Sequence, residues 1–200
     1  IKKVKNKIKL DKWKNIVKKY HNPLNRITIA IVGKYTNLED SYKSLVEAIT
    51  HGGLANNTKV DIKWINAEKV EKEKNSKLFK NIDGILVPGG FGIRGIEGKI
   101  KSSKYARENK IPFFGICLGL QMAIIEIGRN ILKLKGCHSS EFKKPINPVI
   151  GLMTEWTKGK DIQKRTEISE KGGTMRLGSY PCVIKKNSLA SKIYLKNKIY

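Results

Sequence analysis

Residues 27–33 read ITIAIVG, apolar and β-branched almost throughout, the pattern of a parallel strand buried on both faces. Three further segments read as strands: KVDIKWI (59–65) by its alternation, GILVPGG (84–90) and IPFFGI (111–116) by their apolar runs. Between them the period lengthens. Residues 41–53 predict a helix with Leu45, Val46 and Ile49 turned inward and a glycine stop, and LGLQMAIIEIGRN after Cys117 predicts another. Upstream, Leu10, Trp13, Ile16, Val17 and Tyr20 fall at helical spacing before the breaker HNP, so residues 1–26 read as one short helix and a linker. Its abrupt beginning predicts that more chain precedes it. No internal repeat is visible, and the last fifty residues are too irregular to trace closely.

Strands alternating with helices predict an α/β fold: a doubly wound, mainly parallel sheet with helices on both faces. Such sheets collect their functional residues where the strands end at their carboxyl side. Two segments fall there, the one after Val87 and the one after Ile116.

PFFGICLGLQ (112–121) sets Cys117 between Gly115 and Gly119, at the corner between a buried strand and an amphipathic helix. This is the nucleophile-elbow arrangement, in which the glycines let the chain turn sharply and the thiol is aimed out of the sheet. The following helix start favours negative charge on the sulfur, and the Leu118 N–H points at any oxyanion formed on attack. The competing reading is a buried cysteine acting as a small hydrophobe. VPGGFGIRGIEG (87–98) leaves its strand through Pro88 and a cluster of glycines, which exposes backbone N–H groups. Gly90 N–H is the candidate second oxyanion donor. An ordinary glycine-rich loop or a phosphate cradle is the alternative, but the P-loop pattern is missing and G-x-G-x-x-G is not expected in a strand-to-helix setting here.

Composition narrows the partners. The net charge is +24, and of the 41 basic residues 35 are Lys. Arginine, not lysine, is favoured for bidentate reading of phosphate and guanine, so the excess reads as solvated surface with weak, salt-sensitive attraction to polyanions and no specific nucleic-acid role. Three cysteines without C-x-x-C or a His/Cys cluster argue against a disulfide framework or a metal site. With no apolar run of membrane-spanning length and no signal core, a cytoplasmic location is expected.

VGKYTNLEDSYKSLVEAITHGG, VPGGFGIRGIEGKI, PFFGICLGLQ, SSEF, PVIGLMTEW and GGTMRLGSYPC together resemble, in order and spacing, the glutamine amidotransferase domain of CTP synthases, a class I amidotransferase of flavodoxin-like fold. The resemblance covers about residues 10–200. It implies that residues 1–26 link to an upstream synthetase domain and that residues 27–200 form the amidotransferase domain, ending short of the family's His-x-Glu pair. Cys117 would attack the side-chain amide of L-glutamine to give a glutamyl thioester and ammonia, with Gly90 and Leu118 supplying the oxyanion amides. Gln121, Glu141 and Arg176 would hold the substrate, the carboxylate on its α-ammonium and the guanidinium on its α-carboxylate, and Phe91 would line the pocket. The ammonia would aminate ATP-activated UTP to CTP in the synthetase domain. The domain itself would carry no cofactor; ATP with Mg and UTP belong to the synthetase domain, GTP is the effector of the whole enzyme, and the full enzyme is expected to be a homo-oligomer, as a tetramer. The loop 92–98 is the expected place for effector sensing.

The match breaks at the general acid and base. Of three histidines, His21 is expected in the linker, His51 at a helix cap and His138 in the loop before Glu141. None reads as a partner for Cys117, so the chain is expected to be a fragment, weakly active or inactive alone. Two other readings remain open from the residues: a non-catalytic docking domain of the same fold, or a cysteine hydrolase of a related elbow family.

Overall fold

The computed structural model describes residues 9–36, 39–72, 76–151, 155–158, 161–164 and 179–200. They fall in two compact units, Ile1–Leu152 and Met153–Tyr200. In the first, β1 (Asn25–Gly33) pairs in parallel with β2 (Thr58–Asn66) along its whole length and with β3 (Gly84–Val87) on its other side. β4 (Phe113–Gly115) pairs with β3, giving the order β2-β1-β3-β4. The direction of travel reverses after β2. Parallel neighbours need crossover connections, and these carry α2 (Lys43–Ala55) after β1, α3 (Ala67–Lys72) after β2 and α4 (Ile96–Glu108) after β3, the strand–helix alternation that the sequence predicts. Ala30, Val32, Ile85 and Val87 of β1 and β3 pack with Ala67 and Val70 of α3 and Ala106 of α4.

α5 (Leu118–Asn130) follows β4 and buries Leu118, Met122 and Ile125 against Ile96 and Ile100 of α4. Two short strands, β5 (Cys137–Ser139) and β6 (Asn147–Ile150), then pair in parallel. α1 (Asp11–His21) forms as its spacing predicts, but Trp13 is 66% exposed and none of its residues is buried.

Three expectations need correction. α2 does not stop at its glycines but runs to Ala55. Gly53 is buried where any side chain would press on the Thr58 carbonyl and Val60, so close packing on β2 outweighs the roughly 1 kcal/mol that glycine costs a helix. α4 is absent from the hydrophobic pattern because Lys99, Ser102 and Ser103 are among its buried residues. Gly98 lets its backbone lie on Ala67 of α3, whose carbonyl a side chain would strike. With α4 in place, Gly90, Gly92 and Gly95 do form G-x-G-x-x-G between a strand and a helix. A dinucleotide site of that type also needs a carboxylate some twenty residues on, and there the chain presents Phe114, Gly115 and Ile116 instead.

In the second unit, β7 (Glu155–Lys158) and β8 (Asp161–Lys164) form an antiparallel pair, as do β9 (Cys182–Val183) and β10 (Lys198–Ile199). Between the latter, α6 (Leu189–Tyr194) is capped by Ser188, whose Oγ accepts from Ser191 N–H at 3.1 Å.

Candidate active site

Cys117 is the residue before α5 and has φ 53° and ψ −108°. A side-chain-bearing residue held there stores about 1–3 kcal/mol of backbone strain. The strain has a visible cause. Ile116 N–H donates to the Val87 carbonyl at 2.9 Å and Gly119 N–H to the Ile116 carbonyl at 2.9 Å, so the chain must reverse from β4 into α5 within two residues. A Cβ on Gly115 would meet the Gly119 backbone, and one on Gly119 would be driven into the Val87 carbonyl. Only glycine fits on either side, and the thiol between them is exposed. Cys137 is buried, with burial pushing its thiol pKa up.

The loop after β3 runs beside the sulfur. A Cβ built on Gly89 would lie 3.4 Å from Cys117 Cβ and 3.9 Å from its Sγ. Gly90 has φ 144° and open space where a side chain would stand. Among the described residues, neither Gly90 N–H nor Leu118 N–H has a protein acceptor. The Lys34 ammonium, at the end of β1, fixes the loop by donating to the Phe91 carbonyl and, at 3.2 Å, to the Gly92 carbonyl. Phe91 itself is 73% exposed.

Charge is concentrated around this loop. Burial, and after it Arg94, lowers the Lys34 pKa, while Glu141 and Glu68 oppose the shift; the carboxylate of Glu141 is therefore within electrostatic reach of the loop's clamp. Arg94 pairs with Glu68 at 3.3 Å and lies over the Tyr35 ring. Lys99 of α4 is 1% exposed, and burial brings its pKa down to about 8, with Lys34 adding to the shift and Cys117 opposing it. On α5, one turn beyond Cys117, Gln121 has a buried Oε1 with no partner among the described residues. A buried acceptor left unpaired costs about 1–3 kcal/mol, which a ligand N–H would offset.

Cys117, Gly90, Leu118, Phe91, Gln121 and Glu141 all belong to the first unit; the first five lie on the loop after β3 and at the start of α5, at the carboxyl ends of β3 and β4, and Glu141 lies in the turn after β5. Arg176 lies outside the described residues. All three histidines are placed otherwise than expected: His21 ends α1, His51 is inside α2 and His138 lies in strand β5 instead of a loop. His138 is buried with its Nδ1 accepting from Ser139 N–H at 2.8 Å. The pattern gave no notice of Lys34 and Lys99; Lys34 had a positional signal, directly after Gly33 at a strand end, whereas Lys99 is one lysine among 35.

A strained, exposed thiol at a strand-to-helix corner beside a glycine-rich loop is the architecture of an amidotransferase nucleophile. The family model of class-I glutamine amidotransferases matches residues 37–198, and the chain belongs to that family. Among curated proteins it is 51% identical over 191 residues to the CTP synthase of Bartonella henselae, covering 96% of this chain and 35% of that protein. Against the CTP synthase of Rhizobium johnstonii it is 52% identical over 188 residues, 94% of this chain and 35% of the relative. The chain thus spans about a third of the length of these relatives. Among solved structures, the glutaminase domain of Trypanosoma brucei CTPS with bound acivicin superposes with a TM-score of 0.67 at 30% identity, over 86% of this chain and 64% of that one.

Proposed function

We propose that this chain is the glutamine-hydrolysing part of a CTP synthase, supplying ammonia to a synthetase part of the same enzyme. The observation that carries the reading is Cys117, exposed and strained at the corner with Gly89 of the glycine-rich loop against it. The sulfur attacks the carboxamide carbon of glutamine, forming a C–S bond and placing negative charge on the carbonyl oxygen. Gly90 N–H and Leu118 N–H donate hydrogen bonds to that oxygen, the kind of contact worth about 2.7–4 kcal/mol in acyl transfer. Collapse breaks the C–N bond as a general acid delivers a proton to the nitrogen, so that ammonia departs and the thioester remains. Water then cleaves the thioester, giving glutamate and the free thiol.

Substrate selection divides among the neighbours. Glu141 takes the α-ammonium and Arg176 the α-carboxylate, Gln121 Oε1 accepts a substrate N–H, and Phe91 covers the bound molecule. The acid and base for the departing amine are, as the family resemblance implies, a His-x-Glu pair of the whole enzyme; among the described residues His138 Nδ1 accepts from Ser139 N–H and His21 and His51 lie on α1 and α2. This part needs no cofactor; ATP with Mg and UTP serve the synthetase part, where UTP is aminated to CTP, and GTP acts as effector. On this reading the whole enzyme works in the cytoplasm as a homo-oligomer, a tetramer. No helix of the described residues is long and apolar enough to cross a membrane.

The test is labelling with an amino-acid electrophile shaped like glutamine, followed by peptide mass spectrometry. Modification of Cys117, slowed by free glutamine, is expected. Modification of Cys137 or Cys182 with Cys117 untouched contradicts the assignment.

A further inference from the structure

α4, α5 and β5 meet at a polar cluster that the chemistry above does not use. Glu97, in the first turn of α4, takes both ends of the Arg129 guanidinium from α5, Nη1 to Oε2 at 2.7 Å and Nη2 to Oε1 at 3.1 Å. Arg129 Nε donates to the Cys137 carbonyl of β5 at 2.9 Å. The next residue, His138, is 5% exposed and brings Nε2 to 3.6 Å from Glu97 Oε1. Because its Nδ1 accepts the Ser139 N–H at 2.8 Å, the neutral ring carries its proton on Nε2, facing the carboxylate.

From there the chain turns into Glu141. Ser139 is fully buried; its Oγ accepts the Glu141 N–H at 3.1 Å and its carbonyl the Phe142 N–H at 3.4 Å. Ser140 N–H donates to the Ile150 carbonyl at 2.9 Å, and the Phe142 ring meets the His138 ring edge-on. So the turn bearing Glu141 is built upon His138 and Ser139. The three elements joined are also those that matter for the site: α4 continues the glycine-rich loop, α5 begins beside Cys117, and β5 leads to Glu141.

We propose that Glu97, Arg129 and His138 form a positioning cluster that sets Glu141 relative to Cys117 and so tunes affinity for the α-amino group of glutamine, without touching the substrate. The inference rests on the reading of Glu141 as the ammonium clamp. It has a pH signature. Burial, then Arg129 on α5 and Lys143 in the turn, hold the His138 pKa below its ordinary 6.5, against the pull of Glu97 on α4. The ring is neutral at pH 7, and protonation at lower pH puts a proton on Nδ1 and ends its bond from Ser139 N–H.

Glutamine hydrolysis by the full-length protein tests this with His138→Leu, which keeps bulk without an acceptor, and His138→Asn, whose Oδ1 can replace Nδ1. Leu is expected to raise KM roughly fivefold to tenfold with kcat within about twofold, and Asn to restore KM. Wild-type KM is expected to rise as pH falls through the range below the ordinary histidine value of 6.5, where the lowered His138 titrates, and that of His138→Asn to stay flat. A Leu variant with wild-type KM, or Leu and Asn variants equally impaired, overturns the proposal. Should His138→Leu not fold, Glu97→Gln and the wild-type pH series decide: raised KM in both supports the cluster, unchanged KM in both overturns it. A wild type that never turns over glutamine through Cys117 overturns the functional reading and this inference together, whereas normal wild-type turnover with unchanged KM in the variants overturns this inference alone.

Discussion

At Cys117 the backbone strain and the exposure of the thiol are one feature, since the turn that forces φ to 53° also lifts the sulfur clear of the sheet. This gives a sign-reversed prediction. At an ordinary helix site glycine is less stable than alanine by about 0.5–1 kcal/mol, but here Cys117→Gly should be more stable than Cys117→Ala by on the order of 1 kcal/mol, read from denaturant unfolding. The reverse order would mean that the strain is absent. Lys99 makes a second case. Its folded pKa of about 8 lies below the ordinary 10.5, so between those values the unfolded chain binds more protons and stability rises with pH. Lys99→Met is therefore expected to raise Tm at pH 7, by an amount that shrinks above pH 8. A gain that does not change with pH would contradict this. The nucleophile was legible because Gly-x-Cys-x-Gly is steric necessity written in sequence. The Lys99 environment was not, because burial of a lysine stem depends on how α4 lies on its neighbours.

At the scale of elements, α4 shows where the pattern runs out. A helix is read from apolar residues at a 3.6 period, and this one interleaves its buried Ile96, Ile100 and Ala106 with an equally buried glycine, lysine and two serines, Gly98 lying on Ala67 of α3. The four strands of the main sheet, by contrast, were legible to within a few residues, since β1 and β3 lie inside the sheet and carry apolar runs, whereas β5 forms where a loop is expected. α4 and α5 are joined by a bidentate contact of Arg107 with Glu126, at 2.7 Å from Nη2 and 3.1 Å from Nε to the same Oε1, and Glu126 is 1% exposed. Removing the arginine leaves a buried carboxylate without its charge partner. Arg26 and Asp61, joined across β1 and β2, are both far more exposed, and exposed pairs contribute little. Arg107→Met is expected to lower Tm clearly more than Arg26→Met does. Equal losses would show that α4 and α5 do not depend on this contact.

For the molecule as a whole, the charge of +24 acts at long range and is screened within about 10 Å at 0.1 M salt. Retention on a polyanion column is expected at low salt and should vanish as salt rises; retention persisting in high salt would instead point to a dedicated nucleic-acid surface. The full catalytic constellation is the least local property, and the sequence showed it unevenly. Cys117 and its loop declare themselves through glycine spacing, whereas Gln121 and Glu141 carry no local pattern of their own. The central claim is that this sulfur carries a glutamyl group during turnover. Its most direct test is to mix the full-length protein with isotopically labelled glutamine, quench in acid during the steady state, and find which peptide holds the label. The account predicts an acid-stable, hydroxylamine-sensitive glutamyl thioester on the Cys117 peptide, absent in Cys117→Ala. Ammonia release with no label on that peptide, or undiminished release by Cys117→Ala, would contradict it.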